Sequence, residues 1–281
     1  MIYNNLMNSL TKPDDHIAPA ELLKSYIEWG VDETITEEPI NWFSETDNIY
    51  IKQDTISKIS SNTLTSSTPS QSTPLASLQE NIEVALKLAD NCKNLTDLNA
   101  AILEFDGCSL KKTASNTVFS DGNPDSSIMI IGEAPGGDED RIGKPFVGET
   151  GQLLDLMFAA IDMKRETDFY ITNMLPWRPP GNRKPTESEC ELCLPFIKKH
   201  IELFEPNLII CIGGTSACAL LNTKNGITKL RGKWQEYIVG GNTVPIIPIF
   251  HPAYLIRQPQ FKKQTWHDLL AIKAKASELT S

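Results

Sequence analysis

Four short stretches of the chain concentrate the residue types that can do chemistry. In Gly132-Glu133-Ala134-Pro135-Gly136-Gly137 a carboxylate sits among small residues that let a ligand approach the backbone closely. No GxGxxG or GK[ST] pattern accompanies it, which argues against a nucleotide cradle. Glu133 can either bond nearby loop amides or orient water and stabilise positive charge on a sugar. In Gly143-Lys144-Pro145-Phe146-Val147-Gly148 a lone aromatic is held between a proline and glycines. There it either packs half-buried or stacks on a base taken out of a duplex. Asn173 precedes the stiff basic run Pro176–Pro185, in which Arg178, Asn182, Arg183 and Lys184 can grip a phosphate backbone. Its amide offers one acceptor and two donors, enough to read a base edge, although a strand-end Asn also forms turns. In His251-Pro252-Ala253-Tyr254-Leu255-Ile256-Arg257, the histidine is either a surface-turn residue or a donor to a developing oxyanion. Leu255, Ile256 and Arg257 suit a wedge that enters a duplex, with the arginine on phosphate.

These stretches follow elements that would place them together. Short apolar runs at Ser127–Gly132, Phe169–Asn173, Leu208–Gly213 and Val244–Phe250 read as buried strands, with helices at roughly 150–163, 187–204 and 214–222 between them. Such alternation predicts a three-layer αβα fold around a central, mostly parallel four-stranded sheet, with ligands beyond the carboxyl ends of the strands. Further helices are expected from Leu78 through Leu88 and from Leu95 to Phe105. Ahead of them the composition changes. Residues 54–77 are Ser/Thr-rich with few large apolar side chains and read as a flexible linker, and residues 1–53 read as an acidic extension with one short amphipathic helix within 12–35. The catalytic domain is expected over 78–281.

The net charge of -10 is unevenly distributed: residues 1–100 hold 15 acidic and 6 basic side chains, and every arginine lies behind them. The remaining residues are close to neutral, which leaves room for a local basic face toward nucleic acid. No run of about 18 apolar residues is present, so no membrane span is expected. The first ten residues carry no secretion signal, and six cysteines without an export signal read as reduced thiols or ligands. The expected setting is cytoplasmic, and the expected state a monomer.

In the residues of these four stretches the chain resembles the family 4 uracil-DNA glycosylases. The matching segments are Gly132–Gly136, Pro145–Gly148 with Gly151–Asp155, Asn173 with Arg178–Pro185, and His251–Arg257, in order over about residues 105–275. The domain fused to some phage-type DNA polymerases shares several of these motifs. The resemblance implies a uracil-DNA glycosylase-like fold and monofunctional excision of uracil from DNA, leaving an abasic site. It implies a uracil pocket of Gly132, Ala134, Phe146, Asn173 and His251, with Phe146 stacking on the base and Asn173 reading its edge. It also implies that His251 stabilises the departing anion, that Glu133 assists water or the cationic sugar, and that Tyr254, Leu255 and Arg257 join the basic run in holding DNA. The alternative is a non-catalytic DNA-binding module associated with a phage-type polymerase. The acidic extension can serve a replication or repair partner.

One departure concerns metal. The family typically carries a four-iron, four-sulfur cluster on four cysteines, of which Cys108 and Cys193 fit two positions while Phe105 and Trp177 occupy the others. Two cysteines cannot make that site. The reading adopted is no cofactor, with the two rings filling the space. The alternative is an iron-sulfur cluster on a rearranged set of Cys92, Cys108, Cys190 and Cys193.

Overall fold

The computed structural model describes residues 74–279. The amphipathic helix within 12–35, the acidic extension and the linker up to residue 73 lie outside the described residues.

Two of the strands are wholly apolar, and burial of both faces follows from that. In β2 (Ile128–Gly132), Ile128 and Ile130 point to one face while Met129 and Ile131 point to the other, and none is more than 7% exposed. β4 (Leu208–Ile212) repeats the pattern. A strand with two apolar faces needs a helical layer on each side. On one face α1 (Pro74–Asp90), α2 (Leu95–Glu104), α5 (Glu187–Phe204) and α6 (Gly214–Leu220) cover Met129, Ile131, Ile209 and Ile246. On the other, α4 (Glu149–Ala159), α8 (Pro252–Arg257) and α9 (Lys262–Leu279) cover Ile130, Ile210, Ile212 and Ile247. Each fully buried isoleucine contributes roughly 1.5–3 kcal/mol. The expected three layers are present, and α1 starts at Pro74, ahead of the expected Leu78.

The central sheet has six strands rather than four, in the order β1-β3-β2-β4-β6-β5. β3 (Tyr170–Asn173), β2, β4 and β6 (Asn242–Ile249) form the expected parallel core. β1 (Ser120–Gly122) and β5 (Gln235–Val239) add antiparallel edges. Both escaped the search for apolar runs for a physical reason. β1 is three polar or small residues, and β5 is a half-exposed edge strand whose Ile238 is 74% exposed. Among the described residues no helix is long and apolar enough to cross a membrane.

Within the first core, His200 lies stacked on Phe119 at 4.5 Å, with its Nε2 2.9 Å from the Tyr170 hydroxyl. Burial pushes its pKa down to about 3. The folded chain keeps this imidazole neutral, whereas an unfolded histidine takes a proton below about pH 6.5. The resulting stability is complete above pH 6.5 and is lost as pH falls toward 3. Between pH 7 and pH 5 the chain is expected to lose about 2 kcal/mol through this residue. Urea unfolding at the two pH values checks it, and an unchanged midpoint would contradict the assignment.

Candidate active site

The crossovers after β2 and β4 leave toward opposite faces, through α4 on one side and α6 on the other. Adjacent parallel strands whose connections diverge leave a crevice at their carboxyl ends. A cavity of about 860 Å³ opens there, and Glu133, Phe146, Asn173 and His251 all line it. Residues 118 positions apart in the chain, Glu133 and His251, thus line one cavity.

Phe146 is positioned at a conformational cost. Its φ of 54° lies in the left-handed region, which costs a non-glycine residue about 1–2 kcal/mol. Two side chains hold the loop against that cost. Arg165 donates to the carbonyls of Pro145 (2.9 Å) and Phe146 (2.7 Å), and its guanidinium is itself fixed by Asp155 at 2.8 Å and Asp121 at 3.3 Å. Glu139 accepts the N–H groups of Val147 and Gly148, both at 2.9 Å, with one oxygen and that of Gly136 with the other. Gly151 completes the arrangement, since a Cβ there would sit 1.9 Å from the Phe146 carbonyl oxygen.

Asn173 closes β3 and is 5% exposed. Its Oδ1 is buried with no hydrogen-bond partner among the described residues. A buried carbonyl left unpaired costs about 1–3 kcal/mol, so an acceptor placed this way is suited to a ligand N–H. Gly132 lies directly against it: a Cβ on Gly132 would meet Asn173 Oδ1 at 2.3 Å and Phe146 Cζ at 2.5 Å. Ring, amide and glycine backbone therefore form one surface.

His251 caps the amino end of α8, its Nδ1 accepting the Ala253 N–H at 3.1 Å. Burial pushes its pKa down to about 4, Arg257 reinforcing the shift and Glu139 opposing it. The ring is therefore neutral at pH 7, and because Nδ1 is an acceptor its proton resides on Nε2. Its centroid lies 5.8 Å from that of Phe146. Glu133 accepts a hydrogen bond from the Thr215 hydroxyl, reached across the crevice from α6.

The remaining sequence-predicted residues divide. Ala134, Asn182, Arg183, Lys184, Tyr254 and Arg257 also border the cavity. Arg183 is paired with Glu189 (2.6 and 2.9 Å), whose carboxylate also accepts the N–H of Thr186, the N-cap of α5, and Arg178 donates to Asn182 at 2.7 Å while lying over Gly137. Tyr254 packs between Phe250 and Phe261. Leu255 is corrected: it is 1% exposed, because Pro252 and Leu255 fall three apart on the inner side of α8 and enter the second core. The outward apolar side chain of this turn is Ile256, at 37% exposure.

Residues 119–270 match the family described as the Uracil DNA glycosylase superfamily. The chain belongs to that superfamily. It is 39% identical to the type-4 uracil-DNA glycosylase of Archaeoglobus fulgidus over 184 residues, which cover 64% of this chain and 92% of the relative. It is 40% identical to that of Thermotoga maritima over 151 residues, covering 53% and 77% respectively. A DNA polymerase of Bacillus phage SP01 matches over 153 residues at 31% identity, 54% of this chain and 16% of the polymerase. The type-4 glycosylase likeness raises the matter of the iron-sulfur cluster.

The residues here do not fit one. Phe105 and Trp177 are fully buried and stacked at 6.4 Å, with Phe196 edge-on to Phe105 at 5.2 Å. The indole N–H is satisfied by Thr117 at 3.0 Å. Cys108 and Cys193 lie in the same core as these rings, and the neighbouring Cys108 thiol together with burial pushes the Cys193 thiol well up. The rearranged set is not gathered either: Cys92 donates to the Leu88 carbonyl at 3.2 Å, and among the described residues no group of three or more His, Cys, Asp or Glu side chains is arranged to hold a metal ion.

Sequence reading missed three contributors. Glu139 and Thr215 stand in the first turns of the helices that follow β2 and β4, just beyond the strand ends where the carboxyl-end rule pointed. Arg165 carried no such signal, because its partners are carbonyl oxygens nineteen and twenty residues away. Gly132→Ala is expected to reduce uracil excision by about 10² and to lower stability by about 1–3 kcal/mol, because the added methyl overpacks and displaces the buried ring and amide. Single-turnover excision and thermal melts check this; wild-type excision would show that the close packing is dispensable.

Proposed function

We propose that this glycosylase flips uracil out of DNA, hydrolyses its bond to deoxyribose and leaves an abasic site for repair. The observation that carries the reading is the buried, unpartnered Oδ1 of Asn173 beneath Phe146, in one cavity with a neutral histidine. Uracil presents N–H at N3 beside carbonyl oxygen at C4. Its N3–H donates to Oδ1 while the Asn173 amide NH₂ donates to O4. Cytosine has no N3 hydrogen and would leave Oδ1 buried without a partner, a mismatch that discriminates strongly. Phe146 stacks on the extruded ring.

In the bond-breaking step the C1′–N1 electron pair leaves with the base, and negative charge accumulates at O2. The His251 Nε2–H donates to that oxygen. A neutral imidazole suits this role, since its donor persists at every pH well above 4. The sugar becomes oxocarbenium-like. Glu133 stabilises that charge and accepts a proton from the water whose oxygen bonds to C1′. No step needs a metal.

Lys184, Asn182, Tyr254 and Arg257 border the cavity where the phosphates of a flipped nucleotide would pass, and Ile256 is the side chain available to fill the gap in the duplex. Arg178 and Arg183 act first as braces of this loop through Asn182 and Glu189.

Incubating the chain with an oligonucleotide bearing one uracil is expected to give strand breaks only after alkali. Asn173→Ala and His251→Ala are each expected to lose about 10²–10³ in rate with the fold retained. DNA binding without excision by the parent chain would favour the non-catalytic module instead. Iron and sulfide analysis of the aerobically and anaerobically purified chain is expected to find no stoichiometric cluster. Four irons per chain would overturn the reading of Phe105 and Trp177.

A further inference from the structure

The hydrogen bond from Thr215 to Glu133 is the direct tie across the crevice between the loops that follow β2 and β4. Thr215 is 8% exposed and sits in the first turn of α6, and its hydroxyl reaches Glu133 Oε2. Glu133 Oε1 has no protein partner among the described residues, and the residue lines the cavity. The turn that carries Thr215 also backs the other catalytic side chain. Gly213 has a φ of 97°, and a Cβ there would lie 3.4 Å from His251 Cβ and 3.6 Å from its ring. One short turn after β4 therefore touches both groups that face the departing base and the cationic sugar.

We propose that Thr215 is a positioning residue for excision: it fixes the Glu133 carboxylate in one orientation, so that the unpaired oxygen is held toward the water and the sugar. This rests on the glycosylase reading above. A glutamate side chain has three rotatable bonds, and the hydrogen bond from Thr215 is the protein hydrogen bond that the Glu133 carboxylate receives among the described residues. One hydrogen bond from a buried hydroxyl in the first turn of α6 supplies the restriction. Its value to catalysis is geometric, since misplacement of a reacting group by about 1 Å can cost 10²-fold in rate.

The test compares Thr215→Val, which keeps the shape and removes the hydroxyl, with Thr215→Ser, Glu133→Gln and the double variant Thr215→Val/Glu133→Gln. Single-turnover excision from a uracil-bearing oligonucleotide, affinity for that oligonucleotide and thermal melting are measured for each. Thr215→Val is expected to slow excision by about 10²-fold with affinity unchanged, and Thr215→Ser to stay close to the parent. Adding Thr215→Val to Glu133→Gln is expected to cost nothing further, because the hydroxyl acts only through the carboxylate. A purely structural role would instead lower the melting temperature and multiply the two losses. Normal excision by Thr215→Val, failure of serine to rescue, or multiplicative losses would each overturn the proposal. Parent-like excision by Glu133→Gln would overturn it together with the role of Glu133 while leaving uracil excision intact. Absence of excision by the parent chain would instead bring down the glycosylase reading on which it rests.

Discussion

The candidate site depends on keeping one phenylalanine in a backbone conformation that phenylalanine disfavours. With φ at 54°, Phe146 turns its ring over Gly132 and against the Asn173 amide. That placement persists because Arg165 takes the carbonyls on one side of the turn, Glu139 takes the N–H groups on the other, and Gly151 leaves the space into which the Phe146 carbonyl projects. Strain of this kind survives only where the surroundings over-determine it. Here two charged side chains serve that purpose, and both use their charge on backbone groups rather than on the substrate.

Burial sets the electronic state of the site. A histidine deep in the crevice stays neutral, and the Ala253 N–H on its Nδ1 decides which nitrogen carries the proton. An amide oxygen at the same depth is left without a donor. Both features would be costly in an inert protein core. His200 is also neutral through burial, yet it lies against a ring and a tyrosine hydroxyl and borders no large cavity. A shifted histidine therefore acquires meaning only from the space and the partners around it.

In the first core, three aromatic rings pack together in the same cluster as Cys108 and Cys193. Phe105, Trp177 and Phe196 join α2, the loop after β3 and α5, regions that a four-cysteine cluster would otherwise link. Gly107 makes room for the Phe105 ring, since a Cβ there would meet it at 2.5 Å. Dense aromatic contact is a non-directional means of holding these segments, and it demands no ligand geometry.

The sequence by itself determined the parallel core and the loops that border the cavity, because long apolar strands and unusual residues after them are local signals. Ile128–Gly132 and Leu208–Ile212 announce burial on both faces, and Glu133, Asn173 and His251 each stand at or just beyond a strand end. The two substitutions at Phe105 and Trp177 were equally legible, since a ring cannot supply a thiolate. Only the tertiary structure decided the rest. The edge strands Ser120–Gly122 and Gln235–Val239 take their form from a neighbour's hydrogen bonds rather than from their own apolar pattern. Leu255 and Ile256 are adjacent apolar residues of similar size, and which of them faces out depends on where a six-residue helix begins. Arg165 and Thr215 act on groups far away in the chain, so no spacing reveals them. Contacts of that range exist only once the sheet has brought its carboxyl ends together.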